Sequence, residues 1–276
     1  MPNLLIQKFI KKYILLACLI LGLAPVISQA AEEPVYTQRV LAFKVTPGKT
    51  EEFRVALEEL SKIAQFRVNS GEIGSWTVLR SVIPNGTSAK TDYLLITAYK
   101  GYPADPKSAA QSEVDRVKSG SKLPHTEITR QLRNVATLVS TEIWQYSVAA
   151  NGHSKVGDYV LSNYMRVSSL ATLIKFETEY MKPLADHAVA AGSIQSWRFF
   201  TKLLPAGTDI DYMARTEDIL PSFASFFSLD SIWSKATSEV HKGKDFSGLM
   251  AEVAQARKMG SRELSQVIMR VSTKSN

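Results

Sequence analysis

The chain has 276 residues, 45% of them hydrophobic and 21% charged, with a formal net charge of +7 and a pI near 9.3. This is the composition of a globular protein, and because its Lys and Arg are scattered rather than clustered, the sequence carries no nucleic-acid footprint. Cys18 is the only cysteine, which excludes a disulfide framework, a thiolate metal cage and, beyond residue 18, a cysteine nucleophile.

The first element in chain order is a targeting segment. Lys8, Lys11 and Lys12 form a basic region, Ile14 to Ile27 an almost unbroken apolar run, and Ser28-Gln29-Ala30 offers small residues at the cleavage positions. The pattern predicts a bacterial Sec-type signal peptide over 1–30 and a periplasmic or secreted mature protein. A retained anchor is the competing reading, but the apolar run falls short of the ~20 residues that a spanning helix needs. Acylation at Cys18 is a weaker alternative, because the apolar run continues well past it. Cleavage would leave 246 residues and a formal charge of +4, with no stable membrane insertion and enough chain for one large core or two small ones.

Periodicity divides the remainder. RVLAFKV at 39–45 reads as a strand, and TPGKTEEF turns into a helix over about 50–68, with Phe53, Leu57, Leu60 and Ile63 at helical spacing. Gly71 stops it, SWTVLRSVI at 75–83 is a strand, PNGTSAK a hairpin-like turn and DYLLITAY at 92–99 the returning strand. A second helical region falls within 107–133, and 135–146 closes the set as a strand. The order then recurs, with a strand at 159–167, a helical stretch over 170–191 that Pro183 should interrupt, strands at 196–204 and 211–217, helices within 221–258 and a last strand at 262–271. The small and polar residues of 148–157 read as a linker between a first unit, 31–147, and a second, 158–276.

The recurrence is written into the residues. GEIGSWTVLRSVIPNG at 71–86 returns as GSIQSWRFFTKLLPAG at 192–207 with six identities, Trp76 matching Trp197, Pro84 matching Pro205 and Gly86 matching Gly207. With two residues dropped, Asp92-Tyr93 matches Asp211-Tyr212. Each unit thus runs β-α-β-β-α-β, the ferredoxin-like arrangement, with both helices on one face of a four-stranded sheet. An apolar second face needs cover, and two copies supply it by packing sheet to sheet as a pseudo-dimeric α/β barrel, an α+β fold. On this element order and the W…P-x-G…D-Y repeat, the chain resembles the dimeric α/β-barrel superfamily, in a tandem single-chain form spanning 36–272. That superfamily includes cofactor-free monooxygenases, haem-binding chlorite dismutase and dye-decolourising relatives, NIPSNAP-like proteins and stress-response barrels, so the resemblance implies a fold and leaves the activity open.

Alternation along the strands assigns faces. Met213, Arg215 and Glu217 share one side of 211–217, opposite Tyr212, Ala214 and Thr216; the drier second set is expected against the helices and the first in the lumen. Arg198, Phe200 and Lys202 fall on the lumen side of 196–204, with Trp197 and Phe199 on the helix side. Arg215, Glu217, Arg198, Tyr164, Phe200 and Met213 then make a candidate ligand-binding set, able to hold an anionic or phenolic group against apolar walls. The plainer alternative makes Arg215 and Glu217 an ion pair at a strand end. Both tryptophans recur at matching sites, which favours packing over ligand contact.

Four histidines remain. His125, His153 and His241 read as solvated loop residues, whereas His187 matches Phe66 of the first unit and is expected to be partly buried. The superfamily resemblance makes His187 a haem-ligand candidate, though a satisfied helix histidine is the plainer reading. Ser119-Gly120-Ser121-Lys122 fits S-x-x-K without companion motifs, and no metal-ligand spacing occurs. Phe223, Phe226 and Phe227 suit a core better than a surface patch. The expected function is an exported barrel that binds a small, partly apolar molecule in its lumen without a cofactor, with self-association left open. Two alternatives stand beside it: a cofactor-free monooxygenase acting on a phenolic or quinol-like substrate, in which Arg215 and Arg198 stabilise an enolate or phenolate and Tyr164 or His187 moves the proton, and a haem protein using His187.

Overall fold

Eight strands account for about half of the regular backbone and close on themselves. The computed structural model describes residues 35–84, 89–103, 108–150, 152–207 and 210–273. The expected signal peptide with Cys18, and Gly86 of the repeat, lie outside these. The order is β1 (Tyr36–Val45), α1 (Thr50–Asn69), β2 (Ser75–Ile83), β3 (Tyr93–Lys100), α2 (Ala109–Ser119), α3 (His125–Val135), β4 (Ala136–Ala150). It continues with β5 (Tyr159–Val167), α4 (Leu170–Phe176), a π-turn (Glu177–Met181), α5 (Lys182–Ala190), β6 (Ser196–Leu204), β7 (Ala214–Leu220), α6 (Phe223–Phe227), α7 (Leu229–Val240), α8 (Phe246–Val253) and β8 (Arg257–Ser272).

The strands form one closed antiparallel barrel in the order β1-β3-β2-β8-β5-β7-β6-β4. The first four lie β4-β1-β3-β2 and the last four β8-β5-β7-β6. Closure depends on β4 and β8, which are longer than the sequence pattern suggests because each serves two neighbours. The start of β4 pairs with β1 and its end, Ile143–Ala150, with β6. The start of β8 pairs with β5 and its end, Leu264–Ser272, with β2. The expected sheet-to-sheet packing is therefore replaced at both seams by hydrogen bonding, and β4 runs on through residues 148–150 of the stretch read as a linker. An eight-stranded barrel is wide enough for its own side chains to fill it or for one small ligand.

Alternation separates three cores. Inside the barrel, Val40, Ala42, Leu94 and Ile96 meet Trp144, Val160, Tyr164 and Phe200. Outside it, the helices of each half cover their own strands: Phe53, Leu57 and Ile63 of α1 pack on Trp76, Val78 and Leu95, and Leu173, Leu184 and Trp233 pack on Trp197, Phe199 and Met165. Phe53 is fully buried in its cluster, so truncating it to alanine would cost about 3–5 kcal/mol. The α-helix over 170–190 is interrupted just before Pro183, as the sequence led one to expect, but by a π-turn through which the chain stays helical. The ring would collide with the carbonyl four residues back, and the wider turn Glu177–Met181 accommodates it while turning Glu177 and Met181 inward. Likewise β7 begins at Ala214 rather than at 211. A bend at Met213 resets the alternation, so Tyr212 faces the lumen, against the expectation, and Met213 stays half-buried in the bend.

Candidate functional site

The lumen gathers most of the residues singled out by alternation. Arg215, only 1% exposed, has its guanidinium carbon 4.7 Å from the ring centres of both Trp144 and Phe200, with Tyr164 at 5.9 Å. Its Nη2 donates to Gln38 Oε1 at 3.1 Å and lies 3.0 Å from Glu217 Oε1, an ion pair without hydrogen-bond alignment. Arg198 Nη1 reaches the other Glu217 oxygen at 3.7 Å. A neighbouring network, centred on Glu142, escaped sequence reading. Lys202 Nζ and Tyr212 OH both donate to Glu142 Oε1 at 2.8 Å, and Trp144 Nε1 donates to Oε2 at 2.9 Å. Tyr212 stacks on Trp144, and Lys202 Nζ sits 3.6 Å above the Tyr212 ring. Burial pushes the Tyr164 and Tyr212 phenols well above their ordinary values, which keeps both protonated. The Glu142 cluster is fully paired, whereas the buried Nε atoms of Arg198 and Arg215 and Oε1 of Glu217 have no hydrogen-bond partner. Beside Arg198, Glu217 and Gln38 the free volume is about 20 Å³, room for about one water molecule.

The helix-facing side of the second half is different. There the π-turn, α7 and α8 stand off the sheet and leave a cavity of about 250 Å³. Trp197, Trp233, Phe246, Met181, Met250 and Leu229 supply apolar walls. The sheet supplies the polar groups: Asn163 from β5, Thr216 and Asp218 from β7, Arg257 and Arg262 from β8. The corresponding space under α1 is about 40 Å³, because Leu41, Leu60 and Ile63 occupy it. Pockets for drug-sized ligands run to about 300–1,000 Å³, so the larger cavity suits a smaller molecule.

Two groups of polar side chains line this cavity. In one, Arg262 Nε donates to Asn163 Oδ1 at 3.0 Å, and Asn163 Nδ2 donates to Asp218 Oδ2 at 2.9 Å and to Thr216 Oγ1 at 3.1 Å. Burial pushes Asp218 up to about 6, against the pull of Asn163 and Arg262. In the other, Glu177 is almost wholly buried and its Oε2 has no hydrogen-bond partner, nor has the buried Nε of Arg257. Burial pushes Glu177 up to about 8, with Arg257 opposing and Asp218 adding to the shift. Burial also lowers Arg257. A cavity with apolar walls, perturbed carboxyl groups and unpartnered polar atoms is the usual physical signature of a site.

None of these six polar residues was among the sequence candidates. The available signal was polarity on the drier strand face: Asn163 stands where β1 has Leu41, and Asp218 where β3 has Thr97. His187 lies off the cavity, 39% exposed on the side chain, with Nε2 turned to Glu239 of α7. His187 therefore does not serve this cavity. The lining of the 250 Å³ cavity includes no histidine, cysteine or tyrosine among the described residues.

No protein-family model matches the chain, and no curated protein matches it in sequence. Solved structures do match its fold. A candidate monooxygenase from Fusobacterium nucleatum superposes with a TM-score of 0.55 at 10% identity, covering 87% of this chain and 96% of that one. A candidate monooxygenase from Lactobacillus acidophilus gives 0.50 at 10% identity over 87% and 96%, and an anthrone oxidase-like protein 0.50 at 15% over 88% and 95%. These likenesses define an α+β, ferredoxin-like α/β barrel; at such identities they show the fold alone.

Proposed function

We propose that the protein is an exported, single-chain α/β barrel that binds a small, partly apolar molecule in the helix–sheet cavity of its second half. Export rests on the signal-peptide pattern at 1–30, and the single-chain barrel on the duplicated segments at 71–86 and 192–207. The observation that carries the binding reading is the contrast between the halves: about 250 Å³ beneath the π-turn, α7 and α8 against about 40 Å³ beneath α1. One copy keeps the structural role and the other has opened a chamber. The lumen set of Arg215, Glu217, Arg198, Tyr164 and Phe200 then acts as a charged core that joins the halves.

A thermal-shift screen of small aromatic acids, alcohols and amines against the mature protein tests this. Hits should disappear in Leu229→Phe, which fills the cavity, and persist in Arg198→Lys at the lumen. Loss in the lumen variant alone would return the site to the barrel interior. Oxygen uptake driven by a phenolic hit would add turnover and favour the monooxygenase alternative. A Soret band lost in His187→Ala would favour the haem alternative.

A further inference from the structure

Charge and hydrogen-bond bookkeeping inside the cavity singles out one pair. Arg262 and Asp218 compensate each other through Asn163, and Asp230 is exposed at the mouth. That leaves Arg257 and Glu177. Arg257 Nη2 donates only to the thioether of Met250, at 3.4 Å, a weak acceptor. Its Nε, on the same edge of the guanidinium, donates to nothing. This Nε–Nη2 edge is the fork that matches the two oxygens of a carboxylate. Glu177 offers a buried oxygen, Oε2, equally without a partner. It reaches the cavity because the π-turn carries it there, and such turns are frequent at functional sites.

We propose that the cavity selects a planar monocarboxylate, gripped by the Nε–Nη2 edge of Arg257, with Glu177 meeting it as a neutral acid, so that binding is linked to a proton. This holds only if the helix–sheet cavity is the ligand site proposed above. The charged groups facing Glu177 are Arg257 on β8 and Asp218 on β7. With Glu177 protonated, Arg257 is a half-buried cation whose buried Nε has no counter-ion, and an anionic head supplies one. With Glu177 ionised, the carboxyl itself neutralises Arg257 and repels the incoming anion. The walls complete the selection: Trp197, Trp233 and Phe246 present flat faces, with Met181 and Met250 between them, and thioether sulfur packs well on aromatic rings. Glu177 titrates near 8, so the ligand is held at neutral pH and released in alkali.

The test uses two probes of one shape, 2-naphthoate and the uncharged 2-naphthylmethanol, titrated calorimetrically against the mature protein from pH 6.5 to 9.5. Naphthoate should bind at least tenfold tighter than the alcohol at pH 6.5. Its affinity should fall about tenfold per unit above pH 8, while that of the alcohol stays level. Repeating the titration at pH 9 in two buffers of different ionisation enthalpy should show uptake approaching one proton. Glu177→Gln should abolish both the pH dependence and the uptake, and Arg257→Met should reduce naphthoate to the level of the alcohol. Equal affinities, or naphthoate binding that is flat from pH 7 to 9 with the alcohol still bound, would overturn the charge selection and leave the cavity reading intact. Failure of both probes to bind would overturn both. The wild-type pH profile decides by itself if a variant fails to fold.

Discussion

Replacing Glu177 by glutamine should stabilise the protein, and by an amount that grows with pH. The carboxyl titrates near 8 in the folded chain against an ordinary 4.5. Its folded value is raised, so the native state keeps a proton that the unfolded chain releases, and native stability declines as pH climbs from 4.5 to 8. Each unit of that window is worth about 1.4 kcal/mol, which makes the loss about 3 kcal/mol at pH 7 and about 5 kcal/mol above pH 8. Glutamine keeps the shape and has nothing to ionise. Urea unfolding of both proteins at pH 5, 7 and 8.5 should show a variant advantage that is small at pH 5 and grows to those values. Asp218, raised to about 6, adds a slope of the same sign between about 4 and 6, but it does so in both proteins and cancels in the difference. A difference that stays constant from pH 5 to 8.5 would refute a buried, neutral Glu177.

Other consequences concern the barrel. Glu142→Ala strands the ammonium of Lys202, whose side chain is 2% exposed, and should cost about 3–5 kcal/mol in chemical denaturation; adding Lys202→Met should recover much of that loss, and equal losses in the single and double variants would contradict it. Gly152 has φ +157, and a Cβ there would lie 1.9 Å from the Gln195 carbonyl oxygen, so Gly152→Ala should lower stability by more than about 2 kcal/mol, measured by its melting temperature. Residues 31–150 expressed alone lose the partners of β2 and of the end of β4, and light scattering should find dimers or aggregates; a well-behaved monomer would contradict closure through these seams.

Much of the barrel was legible because its signals are local. Period-two alternation located β2, β5 and β6 to the residue and put Arg198, Phe200, Arg215 and Tyr164 on one face. The repeated tryptophans marked equivalent strands. The failures have a common physical origin in events that no local period records. The bend at Met213 depends on how β7 joins β6 and β5, and it exchanged Tyr212 for Met213 in the lumen. The ends of β4 and β8 are strands only because another half lies beside them. Glu177 sits in what reads as an ordinary helix, and only the turn that accommodates Pro183 brings it towards Arg257, eighty residues away in sequence. Asymmetry between the copies was visible, but it was sought on the lumen face, where eight strands leave little space, rather than on the helix face.

The location of the ligand is the point on which the rest depends. A crystal of the mature protein soaked in 6-bromo-2-naphthoate gives it directly, through the anomalous signal of bromine. The account predicts a bromine peak between Trp197 and Trp233, with the carboxylate on Arg257. A peak inside the barrel beside Arg215, or on the protein surface alone, would contradict it.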